Sequence, residues 1–221
     1  MLFESFRRED CVSYLVACQA KGMAAVVDPV LENEDEILQL LQRHSLSLVF
    51  IIDTHTHADH VSRSRELREI TGAQILMHKY APTLRTDWEL NDGGEIPLGD
   101  ATIEVLHTPG HTIDSITLRI ENRLLTGDTL LIGGTGRTDL PGGNPKLLYK
   151  SLWEKILTLE DGVLVYPSHE YEGRPHSTLG EEKAKNPRLQ VRSLQDFVRL
   201  MNQHRPPLPR RIEEALRENT R

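Results

Sequence analysis

Short apolar runs separated by turn residues dominate the chain. Leu2 to Phe6, then Val12, Tyr14 and Val16 alternating with Ser13 and Leu15, then Met23 to Asp28 after Lys21-Gly22, follow the period of strands. Glu32 to His44 switches to helical spacing through Ile37, Leu38, Leu40 and Leu41, with acids in its first turn and Asn33 offered as N-cap. The continuous apolar run Leu48 to Ile52 reads as a buried strand. A helix then runs to Ile70 and stops at Gly72, and Ile75 to Met77 returns as a strand.

The second half repeats the theme. Asn91-Asp92-Gly93-Gly94 is a turn, Thr102 to Leu106 and Ser115 to Ile120 are strands, and Glu121-Asn122 turns into a strand from Arg123 to Thr126. Asn144-Pro145 carries the N-cap and N1 signature of a helix whose apolar stripe is Leu148, Leu152 and Ile156. A helix around Leu194 to Met201 ends before Pro206-Pro207, and a terminal helix follows. Strands with interspersed helices, then the same again, predict an α/β chain built as an αββα sandwich: two packed mixed β-sheets with helices outside.

Composition narrows the partners. At 221 residues the chain is expected to be one domain over 1–221, with 190–221 as a helical extension. A formal charge of -7 disfavours nucleic acid as a partner. No run approaches the ~20 apolar residues of a membrane span, and Met1 leads into no signal-peptide core. Cys11 and Cys18, seven apart in one strand-like segment, are read as reduced packing residues. A cytoplasmic protein without a membrane partner is expected, and prevalence favours a homodimer.

The chemistry is concentrated just past the apolar strands. Thr54-His55-Thr56-His57-Ala58-Asp59-His60 follows Ile52 and packs three imidazoles and a carboxylate into six residues. Burying so many polar groups is unfavourable unless a cation orders them. His111 follows Leu106 through Pro109-Gly110, Asp128 follows Leu124 to Gly127, and His169 follows Val163 to Ser168. Four strand ends presenting His or Asp predict convergence on one metal site, because α/β proteins build their sites where strands open into loops. On residue types alone, one metal or two remain open, as does a closed site that serves only to stabilise the fold. Two zinc ions with Asp128 as bridge would suit hydroxide attack on a thioester. With one metal, His57, Asp59, His60 and His169 become hydrogen-bonding partners of the ligands.

In order, the HxHxDH segment, Pro-Gly-His, Thr-Gly-Asp and late His resemble the metallo-β-lactamase fold superfamily from the first strand to about Leu189. Thr126 to Ile132, Gly136-Arg137-Thr138-Asp139, Tyr166 to Gly173 and Asn186-Pro187-Arg188-Leu189 are most similar to the persulfide dioxygenases, relatives of glyoxalase II. The chain departs from that pattern at Thr135, Leu140 and Glu170, where members often carry Cys, Phe and Asp, and no rhodanese domain is expected. The resemblance implies one Fe(II) per chain held by His55, His111 and Asp128, a two-His-one-carboxylate set that leaves positions open. It implies oxidation of glutathione persulfide by O₂ to sulfite and glutathione. The alternative is a glyoxalase II-type dinuclear Zn(II) hydrolase of glutathione thioesters. Arg137 is a candidate for a glutathione carboxylate or for pairing with Asp139, and Tyr171 for a substrate hydrogen bond or for packing at the surface. Gly133, Gly134 and Gly136 are read as turn and close-approach glycines rather than a nucleotide fingerprint.

Overall fold

A computed structural model describes residues 1–30, 33–191, 193–203 and 205–221. Twelve strands form two six-stranded mixed sheets. The first sheet runs β1 (Leu2–Arg8), β2 (Cys11–Cys18), β3 (Met23–Val27), β4 (Ser47–Ile52), β5 (Gln74–His78), β6 (Trp88–Leu90) in that spatial order. It is antiparallel from β1 to β3 and parallel from β3 to β6. The second sheet contains β7 (Glu95–Leu98), β8 (Ala101–His107), β9 (Ile116–Ile120), β10 (Arg123–Gly127), β11 (Leu164–Pro167) and β12 (Ser177–Thr178). The turn at Asn91 to Gly94 is the step from one sheet to the other.

Strand alternation builds the layers. On β3, Ala25 and Val27 face the second sheet, while Ala24 and Val26 face the outer helices; on β4, Phe50 and Ile52 face in and Ile51 faces out. Opposite them, Ile103, Val105, Ile116 and Leu118 complete the central core. Helices α1 (Glu34–Arg43) and α2 (Ser64–Thr71) cover the outer face of the first sheet through Ile37, Leu41 and Leu67. On the outer face of the second sheet lie α3 (Pro145–Lys150), α4 (Leu179–Lys185) and α5 (Leu194–Gln203), through Leu148, Leu179, Phe197 and Met201. The last helix, α6 (Ile212–Asn219), closes the described chain. No helix among the described residues is long and apolar enough to cross a membrane.

The predicted sandwich is therefore the observed one, with local corrections. Glu32, the predicted start of the first helix, lies outside the described residues. Asn33 stands at the N-cap position, but its side chain makes no capping bond; its amide instead donates to Phe6 O at 3.1 Å and Ser13 Oγ at 3.0 Å. Asn144 caps as predicted, accepting from Lys146 N and Leu147 N. The stripe Leu148, Leu152, Ile156 is buried, although the helix widens into a π turn at Ser151–Lys155.

Candidate metal centre

Strand β4 ends at Ile52, and the loop from Asp53 to Ser62 is held by carboxylates rather than by a sheet ladder. Asp28, at the end of β3, accepts from Thr54 N at 2.7 Å, Thr54 Oγ1 at 2.8 Å and the Ser168 hydroxyl, and lies 3.1 Å from His57 Nε2. Asp114 accepts from Thr56 N and Thr56 Oγ1, both at 2.8 Å. Asp53 accepts from Ser62 Oγ and Ser64 Oγ at 2.8 and 2.7 Å. Burial by itself would raise the Asp28 carboxyl; the adjacent His57, with His55 and Ser168, brings it down to about 2.

The rings of His55 and His111 have their orientation set from behind. Thr54 Oγ1 spends its proton on Asp28, so it accepts from His55 Nδ1 at 3.0 Å, and the buried His55 Nε2 has no hydrogen-bond partner. His111 Nδ1 donates to Arg137 O at 2.8 Å, which leaves His111 Nε2 facing Asp128 Oδ2 at 3.5 Å. One ligand atom each from His55, His111 and Asp128, all buried, fall within 4.8 Å of one another. Burial, then the neighbouring His57 and His111, holds the His55 pKa well below the ordinary imidazole range, so its lone pair is available. Two imidazoles, each with its outer nitrogen held by an oxygen acceptor, and a carboxylate converging on one point suit a divalent transition metal with open positions.

Of the remaining predicted residues, Asp59, His60 and His169 form a second cluster, while His57 stands apart with Asp28 and Asp53. His169 bridges two carboxylates, with Nδ1 2.8 Å from Asp128 Oδ1 and Nε2 3.0 Å from Asp59 Oδ2. His60 Nδ1 lies 2.9 Å from Asp59 Oδ2, and its buried Nε2 is unpartnered. Burial opposes charge on His169, but Asp128 and Asp59 outweigh it and raise its pKa well above the ordinary value. His60 is likewise pushed up to about 10 by Asp59 and Cys11 against burial. His57, with its Nε2 committed to Asp28, packs between the rings of His55 and His60 at 4.1 and 4.3 Å.

Cys11 corrects one expectation. It is a free thiol, as predicted, but it is not a mere packing residue: Sγ lies 3.5 Å from His169 Nε2, 3.6 Å from Asp59 Oδ2 and 3.9 Å from His60 Nδ1. Its position at the start of β2 held no sequence signal, because the neighbours that matter lie 48 to 158 residues away.

A cavity of about 630 Å³ opens onto this centre and is lined by His111, Asp128, His169, the Leu131 to Arg137 loop, Leu140, Tyr171 and Arg188 among others. Of the two readings of Arg137, the pairing is the one found. Nε and Nη2 donate to Asp139 at 2.7 and 2.9 Å, and Nη1 and Nη2 donate to Pro207 O and Pro206 O at 2.7 and 2.8 Å. Arg188, which the sequence reading passed over as a site residue, is half-buried on the cavity wall, and its guanidinium has no hydrogen bond or ion pair among the described residues. Tyr171 is 66% exposed, its ring stacked 6.3 Å from that of His169. Glu170 shapes the loop by accepting from Glu172 N and Arg174 N at 3.0 and 2.8 Å. Gly136 is a true close approach: a Cβ there would stand 2.0 Å from Asp128 O.

The comparisons agree with this geometry. The profile of the Metallo-beta-lactamase superfamily matches residues 7–169. The mitochondrial persulfide dioxygenase ETHE1 of Bos taurus is 36% identical over 225 residues, covering 100% of this chain and 88% of its own. Hydroxyacylglutathione hydrolase of Anaeromyxobacter dehalogenans is 39% identical over 173 residues, covering 77% of this chain and 66% of its own. The crystal structure of ETHE1 from Myxococcus xanthus superposes with a TM-score of 0.96 at 38% identity, covering 99% of this chain and 98% of that one. Fold, ligand order and full-length similarity together place the chain in the metallo-beta-lactamase superfamily, and within it in the family of the persulfide dioxygenases.

Proposed function

We propose that the protein oxidises glutathione persulfide with O₂ at one Fe(II), held by His55, His111 and Asp128. With one water consumed, glutathione persulfide and O₂ give glutathione, sulfite and two protons. Iron, when bound, supplies the open coordination positions and the redox chemistry that bring sulfur and O₂ together. The observation that carries the reading is the meeting of His55 Nε2, His111 Nε2 and an Asp128 oxygen while the neighbouring His169 has both nitrogens engaged by carboxylates.

The surrounding residues then have definite work. Thr54 and the Arg137 carbonyl hold the protons on His55 Nδ1 and His111 Nδ1, keeping the opposite nitrogens free for the metal. His169, protonated at both nitrogens, balances the charge of Asp128 and Asp59. The Arg188 guanidinium, without a partner among the described residues, takes a carboxylate of glutathione, for which a planar two-pronged donor is suited. Arg137 fixes the loop, and Tyr171 borders the entrance to the cavity. The reading takes 1–221 as one domain with 190–221 as its helical extension, acting in the cytoplasm as a homodimer.

Iron stoichiometry combined with an oxygen electrode tests the proposal. One iron per chain and O₂ uptake that requires glutathione persulfide are expected; iron-loaded protein that takes up no O₂ with that substrate would overturn it. The second cluster, Cys11, Asp59, His60 and His169, and the similarity to hydroxyacylglutathione hydrolase favour one other reading, a dinuclear zinc thioester hydrolase. Two zinc ions per chain and O₂-independent release of glutathione from a thioester would establish that one instead.

A further inference from the structure

The last turn of the last helix enters the His-rich loop. Asn219, at the end of α6, has a side chain that is 1% exposed. Its Nδ2 donates to His57 O at 2.9 Å and to His60 O at 2.8 Å, and its Oδ1 accepts from Ser62 N at 3.0 Å. One carboxamide thus uses both donor hydrogens and its oxygen on the backbone of a single six-residue stretch, 157 to 162 residues away in sequence. Apart from the isolated bridge between Val30 and Ser62, that stretch pairs with no strand among the described residues, and irregular buried backbone must find its partners elsewhere. Arg85 stands behind the amide, with Nη2 3.5 Å from Asn219 Oδ1 and 3.9 Å from Asp53 Oδ2. The loop is therefore gripped at its ends by Asp53 and from outside the sandwich by α6.

We propose that Asn219 is a positioning residue of the metal centre: its carboxamide sets the backbone between His57 and Ser62, and through it the directions of the imidazoles and of Asp59. The inference rests on reading His55, His111 and Asp128 as metal ligands. Two carbonyls with two residues between them are drawn to one nitrogen, which bends the chain there and turns Asp59 and His60 toward His169 and Cys11. The same grip limits how far His55, two residues before His57, can shift from His111. Metal affinity is thereby tied to the docking of a helix that contributes no ligand.

Cobalt(II) titration of the metal-free full chain, read by visible absorption, tests this without any turnover. Asn219→Asp is nearly isosteric and keeps the bond from Ser62 N, but replaces the two donors with an acceptor facing two carbonyls. Asn219→Ala removes all three bonds. Glu213→Ala changes an exposed position in the first turn of α6 and leaves the docked end intact, and circular dichroism verifies that each variant is folded. Both Asn219 variants are expected to weaken cobalt binding about tenfold or more, the scale of lost outer hydrogen bonds at metal sites, and to change the absorption bands. Glu213→Ala should stay within about twofold of the parent. Unchanged affinity in the folded Asn219→Asp protein, or an equal loss in Glu213→Ala, would overturn the inference. Failure of the parent protein to bind cobalt would instead overturn the ligand assignment beneath it.

Discussion

Asp28 shows how one side chain can join a fold to its site. It receives hydrogen bonds from Thr54, His57 and Ser168, and so links the loop after β4 to the loop after β11. Because its folded pKa is depressed to about 2, its stabilisation is present above the ordinary carboxyl range and is lost as pH falls toward 2. Asn at this position should cost roughly 3–5 kcal/mol, the scale of a broken buried pair, and flatten the stability profile between pH 4 and 2; urea unfolding across that range measures both. The two arginines at the cavity separate by the same logic of partners. Arg188→Ala should raise KM for glutathione persulfide about tenfold, the value of one charge-assisted contact, with kcat nearly unchanged. Arg137→Ala should act differently, lowering thermal stability and freeing the segment at Pro206 and Pro207 that the guanidinium now holds; steady-state kinetics and melting curves on the two proteins distinguish these effects.

Elements long enough to show a period were legible, and the short ones were not. The strands β2, β3, β4, β8, β9 and β10 and the helices α1, α2, α3, α5 and α6 fall where alternation or helical spacing placed them, to within a few residues. Strands β6, β7 and β12 span three, four and two residues, too few to display a period, and β7 carries Pro97, which is tolerated because β7 lies at the edge of its sheet. Asn33 had the right type for a cap, but its orientation is set by two buried acceptors of its amide nitrogen, and its oxygen makes no capping bond. Loops beside the site obey closer constraints than their glycine content implies. Gly136→Ala would set a methyl group against Asp128 O and 3.0 Å from His111 Nδ1, so the two ligand loops must part. Loss of metal and at least about a hundredfold loss of O₂ uptake is expected, with the far-ultraviolet circular dichroism of the parent retained.

At the scale of the whole molecule, the candidate metal centre sits at the ends of the strands rather than between the sheets: His55, His111 and Asp128 lie in the loops that follow β4, β8 and β10. Chelation should therefore leave the chain folded at 25 °C, unlike a structural zinc site. Linkage predicts that ferrous iron at about a hundred times its Kd raises the melting temperature by roughly 5–10 °C over the chelated protein; outright unfolding on chelation, seen by calorimetry, would favour a stabilising role for the metal. By itself the sequence determined the layered sandwich, the burial of its strands and the set of residues at the strand ends that face one another, because hydrophobic period and residue type are local properties. Tertiary structure alone decided which nitrogen of each histidine is free, that Cys11 joins Asp59, His60 and His169, that Arg137 is paired while the Arg188 guanidinium has no partner among the described residues, and that Asn219 holds the His-rich loop. Those are directional contacts between residues far apart in the chain, fixed by strand register and side-chain rotamer, and neither leaves a trace in the local pattern of apolar and polar positions.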